Sequence, residues 1–297
     1  MNILLALFLM IADTLTVSDS TLSMRRDSLI TEDNTQAKHA FAKKDTMMIA
    51  FAEAKEKHPE ADTLGVISIQ HGDEAFQKID YDRAQAIFEK LYQRDSTSAA
   101  LLWRMARLNV CMGDAISYEK REEREVYYSK AVQYGQKAIE CDDKNSQAHA
   151  WLAAAYGVRA ENSDSKERIR LATQVKLESE KAIKLDSTNG IAYSILGSYY
   201  RAIANIGWFE RMIANTFLGS VPDGTYEEAE AAFKKAIALQ PNVLRHYHEF
   251  ALLYLDMGKE KEAIQLLKTA LTKPILMKND KKRKREIKEL LKEYDAE

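Results

Sequence analysis

From Tyr247 to Pro274 the sequence keeps a spacing that few folds tolerate: Tyr247, Phe250, Ala251 and Tyr254, then Ala263, Leu267, Ala270 and Pro274. Apolar residues that return every three or four positions draw one stripe along a helix, and a proline closes the second stripe. Small residues at fixed places let two such helices lie side by side, so the unit is a helical hairpin. It recurs upstream. The preceding second helix, "TYEEAEAAFKKAIALQP", repeats the spacing with Ala229, Phe233, Ala236 and Pro241. It opens on Thr225 and Glu228, a capping box that satisfies first-turn amides. "GIAYSILGSYY" supplies Tyr193, Leu196, Gly197 and Tyr200, and "AHAWLAAAY" supplies Leu152, Ala153 and Tyr156. "KAIKLDS" and "KAIECDD" end further second helices with Ala182 and Ala138. The first unit gives Gly72, Tyr81, Ala84, Phe88 and Leu91, and its successor Leu102, Met105 and Ala106. A single hairpin cannot bury its own stripe, so such a series dictates a stack in which each unit covers the next.

The spacing is that of the tetratricopeptide pattern, and the expected fold is an all-α tetratricopeptide-repeat α-solenoid of about five hairpins. Composition agrees: 11 Gly and 4 Pro in 297 residues leave room for long helices, and 46% apolar content can supply a core. A net charge of -2 provides no basic field, so nucleic acid is not an expected partner. Cys111 and Cys141 are far apart, in neither a disulfide framework nor metal-ligand spacing. His246 and His248 flank Tyr247, but an i, i+2 pair points to different sides of a helix. No metal and no cofactor is expected. Without a G-x-S-x-G, Walker, Rossmann or H-E-x-x-H motif, neither is an enzyme, and a hydrolase or transferase would need a cleft of paired, pKa-shifted residues.

The departure from a plain array lies between the helices of each hairpin. Gly72 to Ala84 and Ala251 to Ala263 are each 12 positions apart. The inner units stretch this to 25 (Ala106 to Ala131), 22 (Ala153 to Val175) and 32 (Gly197 to Ala229), which adds 13, 10 and 20 residues. Insertions at one position of a repeat emerge on one edge of the stack, where binding is often specialised. The first, "GDAISYEKREEREVYYSKA", reads as an extension of both helices with solvated, charge-paired faces. The second, "RAENSDSKERIRLATQ", is a polar turn followed by helix, and Arg168, Arg170 and Lys176 make it basic enough to meet an anionic group.

The third contains "GWFERMIANTFLG", residues 207–219. As a helix it sets Trp208, Met212 and Thr216 in one column and Phe209, Ile213 and Phe217 in the next, with Glu210, Arg211 and Asn215 opposite. "GSVPDGT" then breaks it. Two readings stand: the helix plugs the concave face, or it walls an apolar cavity for an acyl chain, with Arg211 or neighbouring bases at the mouth for a head group. The candidate binding residues are Trp208, Phe209, Arg211, Met212, Ile213 and Phe217.

Residues 1–18 read as a signal peptide or membrane anchor: Ile3–Ala12 would cover about 15 Å as a helix, half of a hydrocarbon core, and no base precedes them. Residues 19–45 read as a polar linker, and 46–297 as the repeat domain, whose "KNDKKRKREIKELLKEYDAE" end forms a polar capping helix. With a working signal the protein is secreted or periplasmic; otherwise it is cytoplasmic or membrane-anchored. Peripheral membrane contact falls to the N-terminus or the basic last helix.

The run "LGSYYRAIANIGWFERMIANTFLGSVPDGTYEEAEAAFKKAIALQPN", with "LLWRMARL" and "YGVRAENSDSKERIRLATQVKLESEKAIKLD", resembles the regulator of microtubule dynamics family over roughly residues 65–295. Its most specific pieces are Leu102-Trp103-Arg104 with Ala106-Arg107, the Trp208 to Arg211 segment, and Pro222 ahead of Thr225 to Ala229. The resemblance implies a non-enzymatic repeat protein. Some members associate with microtubules, and one is a mitochondrial outer-membrane tether that binds phospholipid. The expected function is therefore a non-catalytic binding protein that holds a protein partner or a phospholipid in its concave face. The alternatives are a pure peptide-docking scaffold and a microtubule-associated protein.

Overall fold

The computed structural model describes residues 67–217 and 221–294, without the side chains of Trp208, Phe209 and Phe217. The signal or anchor expected at 1–18, the linker at 19–45 and the start of the repeat domain at 46–66 lie outside the described residues. Ile67–Glu297 form one unit, and its described residues contain twelve helices and no strand. The first hairpin is α1 (Ile69–Gln77) with α2 (Tyr81–Arg94), the second α3 (Ala99–Ala115) with α4 (Arg121–Cys141), and the third α5 (Ser146–Ala160) with α6 (Ser165–Leu185). In the fourth, α7 (Gly190–Ala204) and α9 (Tyr226–Leu239) are separated by α8 (Trp208–Phe217). The fifth pairs α10 (Leu244–Asp256) with α11 (Glu260–Thr272), and α12 (Asp280–Tyr294) follows. This is the all-α tetratricopeptide solenoid the repeat spacing dictates.

The hairpins close where the small and large positions of the repeat coincide. A methyl group at Gly72 would lie 2.1 Å from the Phe88 ring, so only a bare Cα lets α1 and α2 approach this far. Phe88, Tyr128 and Phe233 are fully buried, each worth roughly 1.5–3 kcal/mol of apolar transfer. The two short hairpins turn alike. Asp80 N–H reaches back to Ala75 O, and Lys259 N–H to Tyr254 O, each across a left-handed residue: Ile79 (φ 62°) and Gly258 (φ 69°). The glycine adopts that conformation freely, whereas the β-branched isoleucine adopts it at a cost.

Between hairpins a second local code appears. Asp95 accepts Thr97 N–H and Oγ1–H, Asp186 does the same for Thr188, and Asp142 accepts Lys144 N–H. Three residues after each aspartate stands a cap, Ser98, Asn145 or Asn189, whose side chain accepts an amide of the following first turn. These three linkers thus fold by themselves, each as an Asx turn leading into an N-cap, whereas the fourth, ending on Val243, has no side-chain cap.

The first two insertions go mainly into second helices: α4 and α6 have 21 residues each, against 14 in α2 and 14 in α9. The third supplies α8. First helices touch one another directly, α3 with α5, α5 with α7 and α7 with α10, whereas each second helix packs on its own partner and on the next first helix. The layer whose members meet has the smaller radius, so first helices line the inner face. Among the described residues no helix is long and apolar enough to cross a membrane.

Candidate functional site

The inner face is built of charge. On α3, Arg104, Arg107, Cys111 and Asp114 recur at intervals of three and four and share one helical stripe. Arg104 Nε donates to Asp73 Oδ2 at 2.6 Å, and Arg107 Nη2 donates to Oδ1 at 2.7 Å. One α1 carboxylate therefore holds two α3 guanidiniums. Arg104 also lies 4.1 Å from the Trp103 ring centroid, and Arg107 3.8 Å from that of Phe76. The fourth and fifth hairpins are joined similarly: Arg201 Nε donates to Asp256 Oδ2 at 2.5 Å, and Asn205 Nδ2 donates to the same oxygen at 2.7 Å. Tyr226 Oη–H completes the chain by donating to Asn205 Oδ1.

Deeper in, charges converge from α3, α4, α7, α10 and α12. Tyr128 of α4 donates its hydroxyl to Asp114 Oδ1 at 2.8 Å and accepts Arg124 Nε–H at 3.1 Å. Burial, reinforced by the negative charge of Asp114, pushes the Tyr128 phenol far above its ordinary pKa. Asp114 Oδ2 lies 3.9 Å from Arg283 of α12, which also donates to Asp280 at 3.2 Å. Arg124 is only 6% exposed, and its Nη1 has no hydrogen-bond partner. Burial alone would raise the Glu249 carboxyl, but Arg245, His248, Arg201 and Arg283 outweigh it and hold it below the usual carboxylate range. Glu161, immediately after α5, keeps contact with water although protein surrounds it on most sides. The crowding of protein around it, with like charge from Asp114 and Glu249 acting against Arg124 and Arg245, pushes its carboxyl above the usual carboxylate range.

The residues singled out in α8 stand apart from this network. The side chains of Trp208, Phe209 and Phe217 lie outside the described residues. Arg211 donates to Pro222 O at 2.9 Å and to Ile203 O at 3.2 Å, and lies 3.7 Å from Asp223. It ties α8 to the end of α7 and to the segment leading into α9. Asn215 Oδ1 accepts Val221 N–H. Met212 is 50% exposed, and Ile213 is half-buried.

The basic cluster of the second insertion is likewise committed within the chain. Arg168 donates to Ala160 O and Ser163 O, Arg170 makes two bonds to Glu167, and Lys176 lies 4.0 Å from Glu180. An open depression of about 840 Å³ lies beside it, lined by α4 (Arg121, Glu125, Lys130), by Arg159 at the end of α5 and by Asp164 of the α5–α6 turn. Its walls mix acids and bases with neutral residues, and it is open to solvent, whereas an acyl chain needs an enclosed cavity.

The remaining reactive groups are buried. The Cys111 thiol is pushed up to about 12, chiefly by burial and then by Asp114, and so stays protonated and weakly nucleophilic. His246 Nε2 donates to Gln240 Oε1 at 3.1 Å; burial, with help from Arg245, lowers its pKa to about 3 and keeps the ring neutral. Among the described residues no three His, Cys, Asp or Glu side chains are grouped to hold a metal ion. What the geometry offers is recognition by charge. Sequence reasoning singled out none of Asp73, Asp114, Arg124, Glu161, Glu249 or Arg283 as site residues. The signal for Asp73, Asp114 and Glu249 was the helical spacing of charges on first helices, which also describes a solvated face; Arg124, Glu161 and Arg283 lie off those helices.

The model of the family Regulator of microtubule dynamics protein 1-3 matches residues 68–295. The chain is 29% identical over 231 residues to Regulator of microtubule dynamics protein 1 of Bos taurus, covering 75% of this chain and 72% of that one. It is 30% identical over 228 residues to the Mus musculus protein of the same name, with 74% and 73% covered. Among solved structures, a thermophilic TPR protein of Thermus thermophilus matches with a TM-score of 0.55 at 19% identity, covering 75% of this chain and 96% of that one. At that identity the likeness concerns the fold.

Proposed function

Because the chain belongs to the regulator of microtubule dynamics family, we propose that it is a non-catalytic scaffold that holds a polypeptide partner against the inner face of its solenoid. The observation that carries this reading is the charge pattern of that face. Glu161 has no hydrogen-bond or ion-pair partner, Arg124 keeps a buried unpaired Nη1, and Arg245 stands near both acids of the hollow. A polypeptide presents alternating charges and backbone groups that can answer such a surface, whereas an acyl chain needs apolar walls. Phospholipid is the second reading, favoured by the half-exposed Met212 on the amphipathic α8.

The test places a photo-crosslinking amino acid at position 161 of the full chain in its native cells, with position 181 on the exposed side of α6 as control. A polypeptide adduct at 161, absent at 181 and lost with Arg245→Glu, is the expected outcome. Adducts of lipid mass alone, or polypeptide adducts of equal yield at both positions, would reject the docking reading. Co-sedimentation of the same protein with polymerised tubulin separates microtubule association, the property in the relatives' name, from docking in general.

A further inference from the structure

The C-terminal segment does more than cover the last hairpin. Ile287 of α12 is fully buried with Leu244, Tyr247 and Leu267 of hairpin five, as an end cap would be. Nine residues earlier the chain touches hairpin one: Lys278 N–H donates to the Tyr81 hydroxyl at 3.0 Å, across 197 positions of sequence. Met277 packs both on the core of the first two hairpins and on the central core. Asp280, 3% exposed, accepts the amides of Leu276 and Met277 at 2.9 Å each, and Arg283, 8% exposed, reaches Asp114 of α3. Residues 276–287 therefore run across the inner face from the fifth hairpin to the first.

The chemistry of this contact is that of a ligand in a receptor. A buried Asp–Arg pair gains little over apolar residues of equal volume, but it specifies one register against a matching acid, here Asp114. Between Lys278 and Arg285 the segment carries six bases and one acid; of these bases Arg283 meets Asp114 and Glu249, while Lys284 donates to Leu271 O and Lys282 lies 3.7 Å from Glu286. We propose that the inner face between α3 and α10 is a receptor for a basic amphipathic helix, and that residues 274–294 occupy it in cis as a built-in competitor. The proposal rests on the reading of the inner face as the docking surface and names the partner's chemistry: an apolar residue, an Asp-x-x-Arg pair and an isoleucine four positions on. A partner then binds with an affinity reduced by the fraction of molecules whose own helix has left.

The test uses a fluorescent synthetic peptide of residues 274–294 and the full chain, as wild type and as Arg283→Glu/Ile287→Asp. Polarisation titrations are expected to show at least ~10-fold tighter binding to the double variant, because the cis competitor has been released. Equal affinity for both proteins, or no binding to a double variant that keeps wild-type helicity by circular dichroism, overturns the proposal. Should the double variant lose helicity, hydrogen exchange on the wild type decides. Amides of residues 276–294 should exchange as one group at least ~10-fold faster than those of α3 and α10, and exchange no faster than α3 and α10 refutes release. Tighter peptide binding without any polypeptide adduct at position 161 would leave the receptor standing and sink the docking reading; the opposite pair of results would sink the receptor alone.

Discussion

Replacing Gly113 by alanine is the sharpest probe of whether the first insertion is a rigid extension of its hairpin. Gly113 stands in α3 where the short hairpins make their left-handed turn, yet here the helix continues and Tyr128 of α4 lies against it. An added Cβ would sit 2.4, 2.9 and 3.0 Å from three carbons of the Tyr128 ring. The ring cannot simply move aside: Tyr128 is fully buried, and its hydroxyl is bonded to both Asp114 and Arg124. Overpacking of this kind costs about 1–3 kcal/mol, while glycine to alanine in a helix returns at most about 1 kcal/mol. The expected net loss is about 1–2 kcal/mol. Gly157 in α5 is the control, because a Cβ there would meet only Val175 Cγ2, at 3.9 Å. Gly157→Ala should stabilise by about 0.5–1 kcal/mol. The two variants should therefore melt roughly 5–10 °C apart, with the wild type between them. Calorimetry or circular dichroism melts on the full chain measure this directly. If both substitutions raise the melting temperature, the α3–α4 extension is loosely packed and the account of the insertion fails.

Two further outcomes follow from single side chains. The folded pKa of His246 is about 3 and its unfolded pKa about 6.5, so above pH 6.5 both states are neutral and the group contributes no pH dependence. As pH falls from about 6.5 toward 3 the unfolded chain takes up a proton that the folded one refuses, and stability drops by about 1.4 kcal/mol per pH unit, roughly 2 kcal/mol at pH 5. Urea midpoints at pH 7 and pH 5 should show this loss in the wild type and a loss about 2 kcal/mol smaller in His246→Gln; equal losses refute the assignment. Arg211→Met removes charged donors from Pro222 O and Ile203 O, bonds worth about 1.5 kcal/mol or more, so amides of residues 221–228 should exchange at least ~10-fold faster. Unchanged exchange would mean that Arg211 is no staple and that its guanidinium is available to a head group.

What could be read from the sequence is what is local. The small-to-large pairing of Gly72 with Phe88, the Thr225–Glu228 capping box and the α8 interval between Gly207 and Val221 all rest on neighbours within one hairpin, and spacing reveals them. The inner-face network could not be read, because its members answer across hairpins: Asp73 meets Arg104 and Arg107 at separations of 31 and 34 residues. In a one-dimensional reading each such residue is a charge on the face opposite the core, and a solvated face looks the same. Arg124 makes the point most clearly. It lies in a Glu/Lys/Arg-rich run that reads as a surface, yet it is buried, because Tyr128 beneath it and the Asp114 stripe opposite turn that stretch of α4 inward.

The same limit explains the C-terminal helix, and it changes how the stack holds together. A repeat array is stabilised by nearest neighbours, so its ends normally fray independently of one another. Here the Lys278–Tyr81 bond and the placement of Met277 against two cores join the last hairpin to the first. Hairpin one, with its nine-residue α1 and its strained Ile79 turn, is the unit least able to stand by itself. The segment that occupies the inner face is thus also what steadies the weakest repeat, so releasing it both exposes Asp114 and Glu249 and loosens the α1–α2 end. Charge on the inner face and stability at the ends are controlled by one segment, which is why a partner that displaces it must repay both.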